Sequence, residues 1–461
     1  MTRSPFWLLF LLPLISWPMG CATPAPPPRW QPLDTQAITA PLSLEQCLIL
    51  AREHDVQAAA WEARMKTARA ELQKAREIPN PTFSPAWDDL GLKDDIGTDL
   101  SNLVYGFSFP IFFWWPQSQK IAAARANQMV EEAAVRSEQR QLTIDVAAAY
   151  FNLVAEQRKT RISEQLLAVA CESLRLVEKQ RQLQIVSEFD VERIRADELQ
   201  AESDWNDARN QQRLDQLAFA FALGADHPFY PEVQDPKDAY SQPLVDIPAG
   251  DSMPEEWLQS AVAGDPLWMK AQAATRVAEA QLAVERRGAF PLTDAASSAG
   301  PKSAPEGTGS AVTLDIPIPI FNQNQAAIAR ARADLLTAQT EQEQTRRAVI
   351  AKISSAWEEY QASRVKWDQY ARKILEFEEK NEQAASKFFV AGQIPYIDLL
   401  QVRNQFRKAQ LSALDSWKDY VTSAWTLSCL LGKQDPAGVD SPHQPEDNRS
   451  SMPRNESREN G

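Results

Sequence analysis

The sequence predicts a mainly α-helical protein with a small β part. Residues 117–223, 322–390 and 396–431 contain neither Pro nor Gly, although the whole chain has 31 prolines and 15 glycines. Because Pro and Gly are the residues least compatible with helix interiors, such long stretches predict very long helices. The second observation is that the two halves of the chain repeat one order of elements, which indicates a duplicated unit.

The spacing of apolar residues supports the helices. Val146, Ala149 and Leu153 recur at steps of three and four in the first long stretch, as do Ile353 and Trp357 in the second. Glu, Gln, Arg and Lys fill most other positions, so each helix has one apolar stripe. A helix of about 60 residues would be a rod about 90 Å long.

The two halves match position by position. Several residues of the first half recur 210 positions later, and Asp190 recurs as Asp398 with an offset of 208. The early matches join Leu48, Asp55, Ala68, Leu72, Arg76 and Pro81 to Leu258, Asp265, Ala278, Leu282, Arg286 and Pro291. We assign the first repeat to residues 42–224 and the second to 255–432. Residues 225–254 form a linker, and residues 433–461 form a disordered polar tail.

Each repeat is predicted to run helix, strand, strand, long helix, turn, helix. The first helix covers residues 44–77 in one copy and 255–287 in the other. Apolar residues then alternate with others over 102–109 and 311–320, a pattern of strands with two different faces. Residues 83–87 and the segment from Phe290 onward would supply partner strands. The second hairpin, residues 293–310, is rich in Ala, Ser, Gly and Pro and lacks the apolar alternation of a lipid-facing strand. Either that strand is short, or this part of the β structure is unusual.

The first 20 residues have the pattern of a secretory signal peptide, with a basic start and a short apolar stretch. Gly20 precedes Cys21, which predicts lipid attachment at Cys21 and a Pro-rich segment over residues 21–41. Pro18 stands where a bacterial lipidation signal usually carries Leu. The alternative is ordinary cleavage nearby, with Cys21 removed or left free.

Composition excludes several classes of function. The net charge of −14 disfavours nucleic-acid binding, although it is compatible with a cationic cargo. The remaining cysteines form neither a disulfide framework nor a CxxC site, and no His lies within helical reach of another His or a Cys. No phosphate loop or catalytic triad is present. The sequence therefore predicts neither an enzyme nor a bound cofactor.

The strands point to a membrane-inserted oligomer. No segment after residue 20 has eighteen consecutive apolar residues, so membrane entry requires a lipid anchor or a closed β-barrel. Four strands cannot close around a pore, whereas three copies give a twelve-stranded barrel. The apolar strand faces would then meet lipid or its interface, with Tyr105, Phe107, Phe112, Trp114 and Trp115. The helices would continue the barrel as a long α-helical barrel.

Over residues 42–432, with the linker excepted, the chain resembles the outer membrane efflux protein family, the TolC-like outer-membrane factors. The features that carry the resemblance are the duplication, the Leu-Ser-Leu-Glu-Gln segment at 42–46, the strand exits at 108–112 and 318–321, and the turn at 390–400. The resemblance implies a homotrimeric exit duct that docks onto a periplasmic adaptor and an inner-membrane pump of the resistance-nodulation-division type. Residues 317–325 are similar to the heavy-metal-resistance branch, which exports cobalt, zinc, cadmium, copper or silver ions.

The resemblance also implies functional positions at the helix–helix turns, which would form the periplasmic mouth. Asp398 would lie near the closed end of the tunnel, where three copies of its carboxylate would attract cations, and Asp190 and Arg403 are further gate candidates. The alternative is that Asp398 and Asp190 are first-turn acids, paired with Arg403 and Arg195. The adaptor-contact candidates are Arg181, Glu188, Lys387 and Gln393.

Two other functions remain open from the sequence. A lipid-anchored structural coiled coil of the periplasm would explain Cys21 and the helices, but not the alternating strands at the same point of each repeat. The same duct could also serve drugs or secreted proteins, because cargo is chosen mainly by the pump.

Overall fold

We analysed a computed structural model of the chain. The sequence segments predicted as signal peptide, Cys21 and polar tail lie outside the described residues, except for Lys433 at the start of the tail. The structure describes residues 31–35, 38, 40–87, 103–110, 114–184, 186–235, 250, 252–288, 294–301, 308–315 and 320–433.

The described residues of the first repeat form four helices and two strands. Its helices are α1 (Leu44–His54), α2 (Val56–Arg76), α3 (Trp114–Gln182) and α4 (Glu188–Ala222). The strands β1 (Thr82–Trp87) and β2 (Leu103–Pro110) lie between α2 and α3. The long α3 confirms the prediction from the stretch without Pro and Gly.

The second repeat has the same order with one addition. It contains α5 (Glu255–Gly264), α6 (Pro266–Gly288), β3 (Asp294–Pro301), β4 (Thr308–Asp315), α7 (Gln325–Gln369), α8 (Leu375–Val390) and α9 (Tyr396–Leu430). A single π-helical turn, Tyr370–Ile374, joins α7 to α8 within one continuous helix. We call it the π turn.

The prediction of one continuous first helix in each repeat was wrong. Asp55 separates α1 from α2, and Asp265 separates α5 from α6, because both residues have extended backbones with ψ of 131° and 125°. Their carboxylates accept hydrogen bonds from the amides of Gln57 (2.7 Å) and Leu267 (2.8 Å). Each Asp therefore starts a new helix by capping its first turn.

The four strands form one antiparallel sheet in the order β1-β2-β3-β4, so the two repeats meet between β2 and β3. Phe107 faces Phe83 in one neighbour and Ser297 in the other. Of the two alternatives for the second hairpin, the short strand is excluded, since β3 and β4 have eight residues each. Backbone ladder bonds do not require apolar side chains. The strand predicted over 311–320 is described as far as Asp315, and residues 316–319 lie outside the described residues.

The main core lies where α1, α3 and α9 pack together. Phe151 of α3 makes edge-to-face contacts with Trp417 and Trp425 of α9, at ring-centroid distances of 6.4 and 6.2 Å. A second cluster joins α5, α7 and α9 around Ile353 and Trp357. Burying one large apolar side chain contributes about 1.5–3 kcal/mol, so these clusters dominate the stability of the helices.

Two segments without regular structure pack beside this core. Leu42 and Val233 form a parallel bridge that joins the N-terminal segment to the segment after α4. Arg158 of α3 forms an ion pair with Asp235 in the same segment. Gly224 has a φ of +91°, and a Cβ there would lie 2.3 Å from the carbonyl oxygen of His54. This close approach requires glycine at the end of α4.

A buried ion pair joins the two repeats. Asp265 is only 1% exposed and pairs with Arg140 of α3, in addition to capping α6. Asp55 holds the matching cap in the first repeat, but forms no ion pair with any residue that the structure describes.

We expect Asp265→Ala to lower the free energy of unfolding by about 3 kcal/mol, because it leaves Arg140 buried without its partner. The matched change Asp55→Ala should cost about 1 kcal/mol, the value of a helix cap. Thermal unfolding of the two variants in detergent measures the difference. Equal losses in both would show that the ion pair adds nothing to the cap.

Candidate functional site

The sharp α3–α4 turn forms one candidate site. Gln184 adopts a left-handed backbone with a φ of 59° after the last turn of α3. Ser187 then caps α4: its hydroxyl accepts from the amide of Asp190 at 3.2 Å, while the Asp190 carboxylate accepts from the amide of Ser187 at 3.3 Å. This reciprocal capping box explains how a helix can turn here without Gly or Pro.

The α8–α9 turn also reverses the chain between two helices, but with different residues. Gly392 adopts a φ of 70°, which ends α8, and Pro395 precedes the first residue of α9. No side chain caps α9. Asp398 lies in its first turn, where a negative charge is favoured by the positive end of the helix dipole.

The predicted pairs of Asp398 with Arg403 and of Asp190 with Arg195 are not present, and this part of the prediction was wrong. Residues five apart on an α-helix point in directions about 140° different, so neither Arg reaches the Asp on its own helix. Asp190 is engaged in the capping box. Asp398 is exposed, and its carboxylate has no hydrogen-bond or ion-pair partner among the described residues.

Arg403 instead joins three helices. Its guanidinium donates to the carboxylate of Glu382 on α8 at 3.4 Å and to the hydroxyl of Ser173 on α3 at 3.1 Å. Arg403 and Glu382 are each about one quarter exposed, so water weakens this ion pair only in part. Arg403 therefore links the second helical hairpin to the first.

Two further contacts between the hairpins escaped the sequence analysis. The Tyr396 hydroxyl donates to the Asp197 carboxylate of α4 at 3.2 Å, and Arg407 pairs with Asp204 of α4 at 2.5 Å. We call these two contacts, together with those of Arg403 to Glu382 and Ser173, the polar latch. Residues 396, 403 and 407 are seven and four apart and share one face of α9. The packed face of a helix usually carries an apolar stripe. Hydrogen-bonding residues on that face of α9 were therefore the sequence signal that could have revealed the polar latch.

The surroundings of Tyr396 keep its hydroxyl protonated. Burial raises the pKa of Tyr396, and the negative charge of Asp197 and the hydrogen bond to it raise that pKa further. The phenol consequently remains a hydrogen-bond donor through the neutral and mildly alkaline range.

The adaptor-contact candidates all lie near the two turns. Arg181 and Glu188 form an exposed ion pair with each other at 2.6 Å, while Lys387 and Gln393 are exposed. Large apolar side chains, which the sequence analysis missed, are exposed beside them. These are Leu183, Phe189, Phe388 and Val390, with exposed fractions from 50% to 85%.

Within the described ranges, no group of three or more His, Cys, Asp or Glu residues is arranged to hold a metal ion. Among the helices in these ranges, none combines the length and the apolar character needed to cross a bilayer.

The duplicated unit of long helical hairpins, joined by one four-stranded antiparallel sheet, is a fold that solved outer-membrane channels share. The CusC structure matches with a TM-score of 0.68 and 19% identity, over 84% of this chain and 91% of that chain. The CmeC outer membrane channel of Campylobacter jejuni matches with a TM-score of 0.66 and 14% identity, over 85% and 87%. These similarities show the fold.

The family model for outer membrane efflux proteins matches residues 47–225 and 257–433, so the chain belongs to the outer membrane efflux protein family. A relative is the cobalt-zinc-cadmium resistance protein CzcC of Cupriavidus metallidurans. It is 23% identical over 404 residues, which cover 87% of this chain and 93% of CzcC. The chain is accordingly an outer-membrane exit duct for efflux and not an enzyme.

Tyr396→Phe should speed hydrogen exchange of the α8–α9 turn amides about fivefold, because it removes one hydrogen bond to a half-buried carboxylate, worth about 1 kcal/mol. Tyr370→Phe is the control, since the Tyr370 hydroxyl has no hydrogen bond to any described residue. Unchanged exchange in Tyr396→Phe would mean that this bond does not hold the turn.

Proposed function

We propose that the chain forms a homotrimeric, gated exit duct, with a twelve-stranded β-barrel continued by an α-helical barrel. The observation that carries this proposal is the four-stranded sheet, whose outer strands β1 and β4 each have one edge without a partner strand among the described residues. Inserted in lipid, such edges would leave backbone groups unsatisfied, and closure with two further copies removes them.

The duplication supports the same assembly. Within the chain, α3 of the first repeat packs against α6 of the second. The corresponding partners by repeat symmetry are α7 and α2, which expose large apolar residues such as Leu336 (65%) and Val56 (63%). In a ring of three chains, α7 of one copy would cover α2 of the next and bury these side chains.

We further infer that the duct sits in the outer membrane through its sheet and through a lipid on Cys21, with the two turns in the periplasm. The turns would contact a periplasmic adaptor through Arg181, Glu188, Lys387 and Gln393, together with the exposed apolar side chains beside them. A resistance-nodulation-division-type pump in the inner membrane would supply the energy.

The proposed cargo is metal cations. The relative CzcC is a cobalt-zinc-cadmium resistance protein, and the net charge of −14 suits cationic cargo. A strain that lacks this chain should become sensitive to such metals. Sensitivity to drugs alone, or loss of protein secretion, would assign the duct a different cargo.

The gate is proposed at the α8–α9 turn. In a trimer, three exposed Asp398 carboxylates close to the axis would attract cations, while the polar latch, which includes Arg403, would hold the turns together. Asp190 serves its own helix cap, so its role in the gate would be to fix the α3–α4 turn.

The protein extracted in detergent should have the native mass of a trimer and appear in electron micrographs as a hollow cylinder below a micelle. The intact mass of the same preparation should include acyl chains on Cys21. A monomer, or a solid rod released from the membrane without detergent, would contradict the duct.

Asp398→Asn should lower the cation-over-anion selectivity of the reconstituted channel, because it removes three charges from the narrow mouth. Asp190→Asn, the change at the matching position of the first repeat, should leave selectivity unchanged, since that carboxylate is bound in the capping box. Unchanged selectivity in Asp398→Asn would remove Asp398 from the gate.

A further inference from the structure

The helix ends next to the sheet carry a positive net charge. α2 and α6 end there, and α3 and α7 begin there. The twelve residues of each helix nearest the sheet, a length of about 18 Å, contain ten basic and four acidic side chains in total. The matching stretches of α3, α4, α8 and α9 next to the two turns contain nine basic and ten acidic side chains. A chain with a net charge of −14 is therefore positive beside its sheet.

Other charges near this level do not cancel the excess. Glu77 follows α2, and Asp294 and Asp315 are paired residues at the end of the sheet that adjoins the helices. Counting these three carboxylates leaves ten basic against seven acidic side chains. No charged residue occurs in the segments that connect these helices to the strands, which are residues 78–81, 111–113, 289–293 and 316–324.

Six of these basic side chains are exposed and form no ion pair with any residue that the structure describes. We call them the basic collar: Lys74, Arg76, Lys120, Arg125, Arg286 and Arg332. The helix dipole accounts for basic residues at the ends of α2 and α6, but not for those in the second and later turns of α3 and α7. Neither α3 nor α7 has an acid in its first turn, whereas α4 and α9 both have one. Helix stability alone therefore does not explain the basic collar.

Hydrogen bonds hold the four helix ends of the collar beside one another. The side-chain amide of Gln117 on α3 donates to the carbonyl of Arg76 on α2 at 3.1 Å. The guanidinium of Arg287 on α6 donates to the hydroxyl of Ser118 on α3 at 2.9 Å. Asn324, which precedes α7, donates to the carbonyl of Glu285 on α6 at 2.9 Å. The collar charges are thus carried on helices whose positions are fixed relative to the sheet and to each other.

Large apolar side chains are exposed between the basic collar and the sheet. Ile320 and Phe321, which precede α7, are 66% and 93% exposed, and Ile78, which follows α2, is 61% exposed. The boundary between lipid headgroups and acyl chains accommodates such side chains, whereas water does not. Passing from the strands to the helices, apolar side chains come first and basic ones follow. This is the order of acyl chains and phosphates in a lipid leaflet.

We propose that the basic collar binds the phosphates of anionic phospholipids in the leaflet of the outer membrane that faces the periplasm. Ile78, Ile320 and Phe321 enter the boundary between headgroups and acyl chains, and the collar stops the helices from sliding further into the bilayer. In a trimer the collar is repeated three times around the shaft. This inference rests on the proposed duct, whose sheet lies in the outer membrane and whose turns lie in the periplasm.

Neutralising part of the collar tests the proposal. The collar variant carries three substitutions that keep good helix formers at exposed positions: Lys120→Gln, Arg125→Gln and Arg332→Gln. The matched control removes the same charge from exposed positions farther from the sheet on the same two helices, with Arg136→Gln, Lys179→Gln and Lys352→Gln. Native mass spectrometry of the full-length proteins, purified in detergent, measures the binding of phosphatidylglycerol and of phosphatidylethanolamine with identical acyl chains.

The unchanged protein should prefer phosphatidylglycerol, because each Lys or Arg near an anionic surface raises binding about fivefold. The collar variant should bind this lipid at least about tenfold more weakly, and the control should bind it like the unchanged protein.

Equal binding by the collar variant and the control would overturn the proposal. Displacement of the lipid by inorganic phosphate would also overturn it, since the site would then take a soluble anion. A collar variant with changed ion selectivity and unchanged lipid binding would place the collar in the lumen, with the same consequence. Trimers that conduct ions without a lipid preference would overturn the collar alone, whereas a protein that forms no trimer would overturn the duct and the collar with it.

A second measurement leaves the collar unchanged and keeps the test valid if the collar variant does not fold. Spin labels are placed at Phe321→Cys or at Val365→Cys, both exposed positions, with Cys171 replaced by Ser. In vesicles that contain phosphatidylglycerol, a water-soluble nickel complex should reach the label at 365 but not the label at 321. Replacing phosphatidylglycerol by phosphatidylcholine should raise the access of nickel to the label at 321. Equal access to both labels, or access that does not depend on the lipid, would overturn the proposal.

Discussion

The structure depends on covering the apolar stripe of α3. A helix of 69 residues is not stable in water unless its apolar face is buried. In this chain α2, α6, α1, α9 and α4 share that task along its length. Phe151 of α3 is 1% exposed and contacts two tryptophans of α9. This contact fixes the second hairpin against the first, and therefore the relative position of the two turns.

Duplication gave the chain two similar units, but the structure uses them differently. Both Asp55 and Asp265 cap a helix, but among the described residues only Asp265 also forms an ion pair, with Arg140 of α3. The two turns diverge likewise: one relies on a capping box and the other on Gly392 and Pro395. The uncapped turn keeps Asp398 exposed, whereas the capping box occupies Asp190.

The sequence was sufficient to predict the order of elements, because long stretches without Pro and Gly and strict alternation report local geometry directly. It missed the breaks at Asp55 and Asp265, since an Asp within a helical pattern can be a surface residue or a cap. The π turn was missed for a similar reason, because every residue of 370–375 is compatible with an α-helix. The polar residues on one face of α9 indicate one side of the polar latch, but the partners of Tyr396 and Arg407 lie about 200 positions away and no local pattern identifies them.

The contacts between the helices differ in energy along the length of the hairpins. Each large side chain buried above the π turn contributes about 2 kcal/mol, so separating the helices there would cost far more than thermal motion supplies. Each bond of the latch is worth about 1 kcal/mol, because its groups are partly exposed and regain water when released. A partner that contacts the turns can supply the energy needed to break a latch bond, but not the energy needed to separate the helices in the apolar core. This order of polar and apolar contacts along the two hairpins supports the proposal that the turns, and not the shaft above them, respond to a partner.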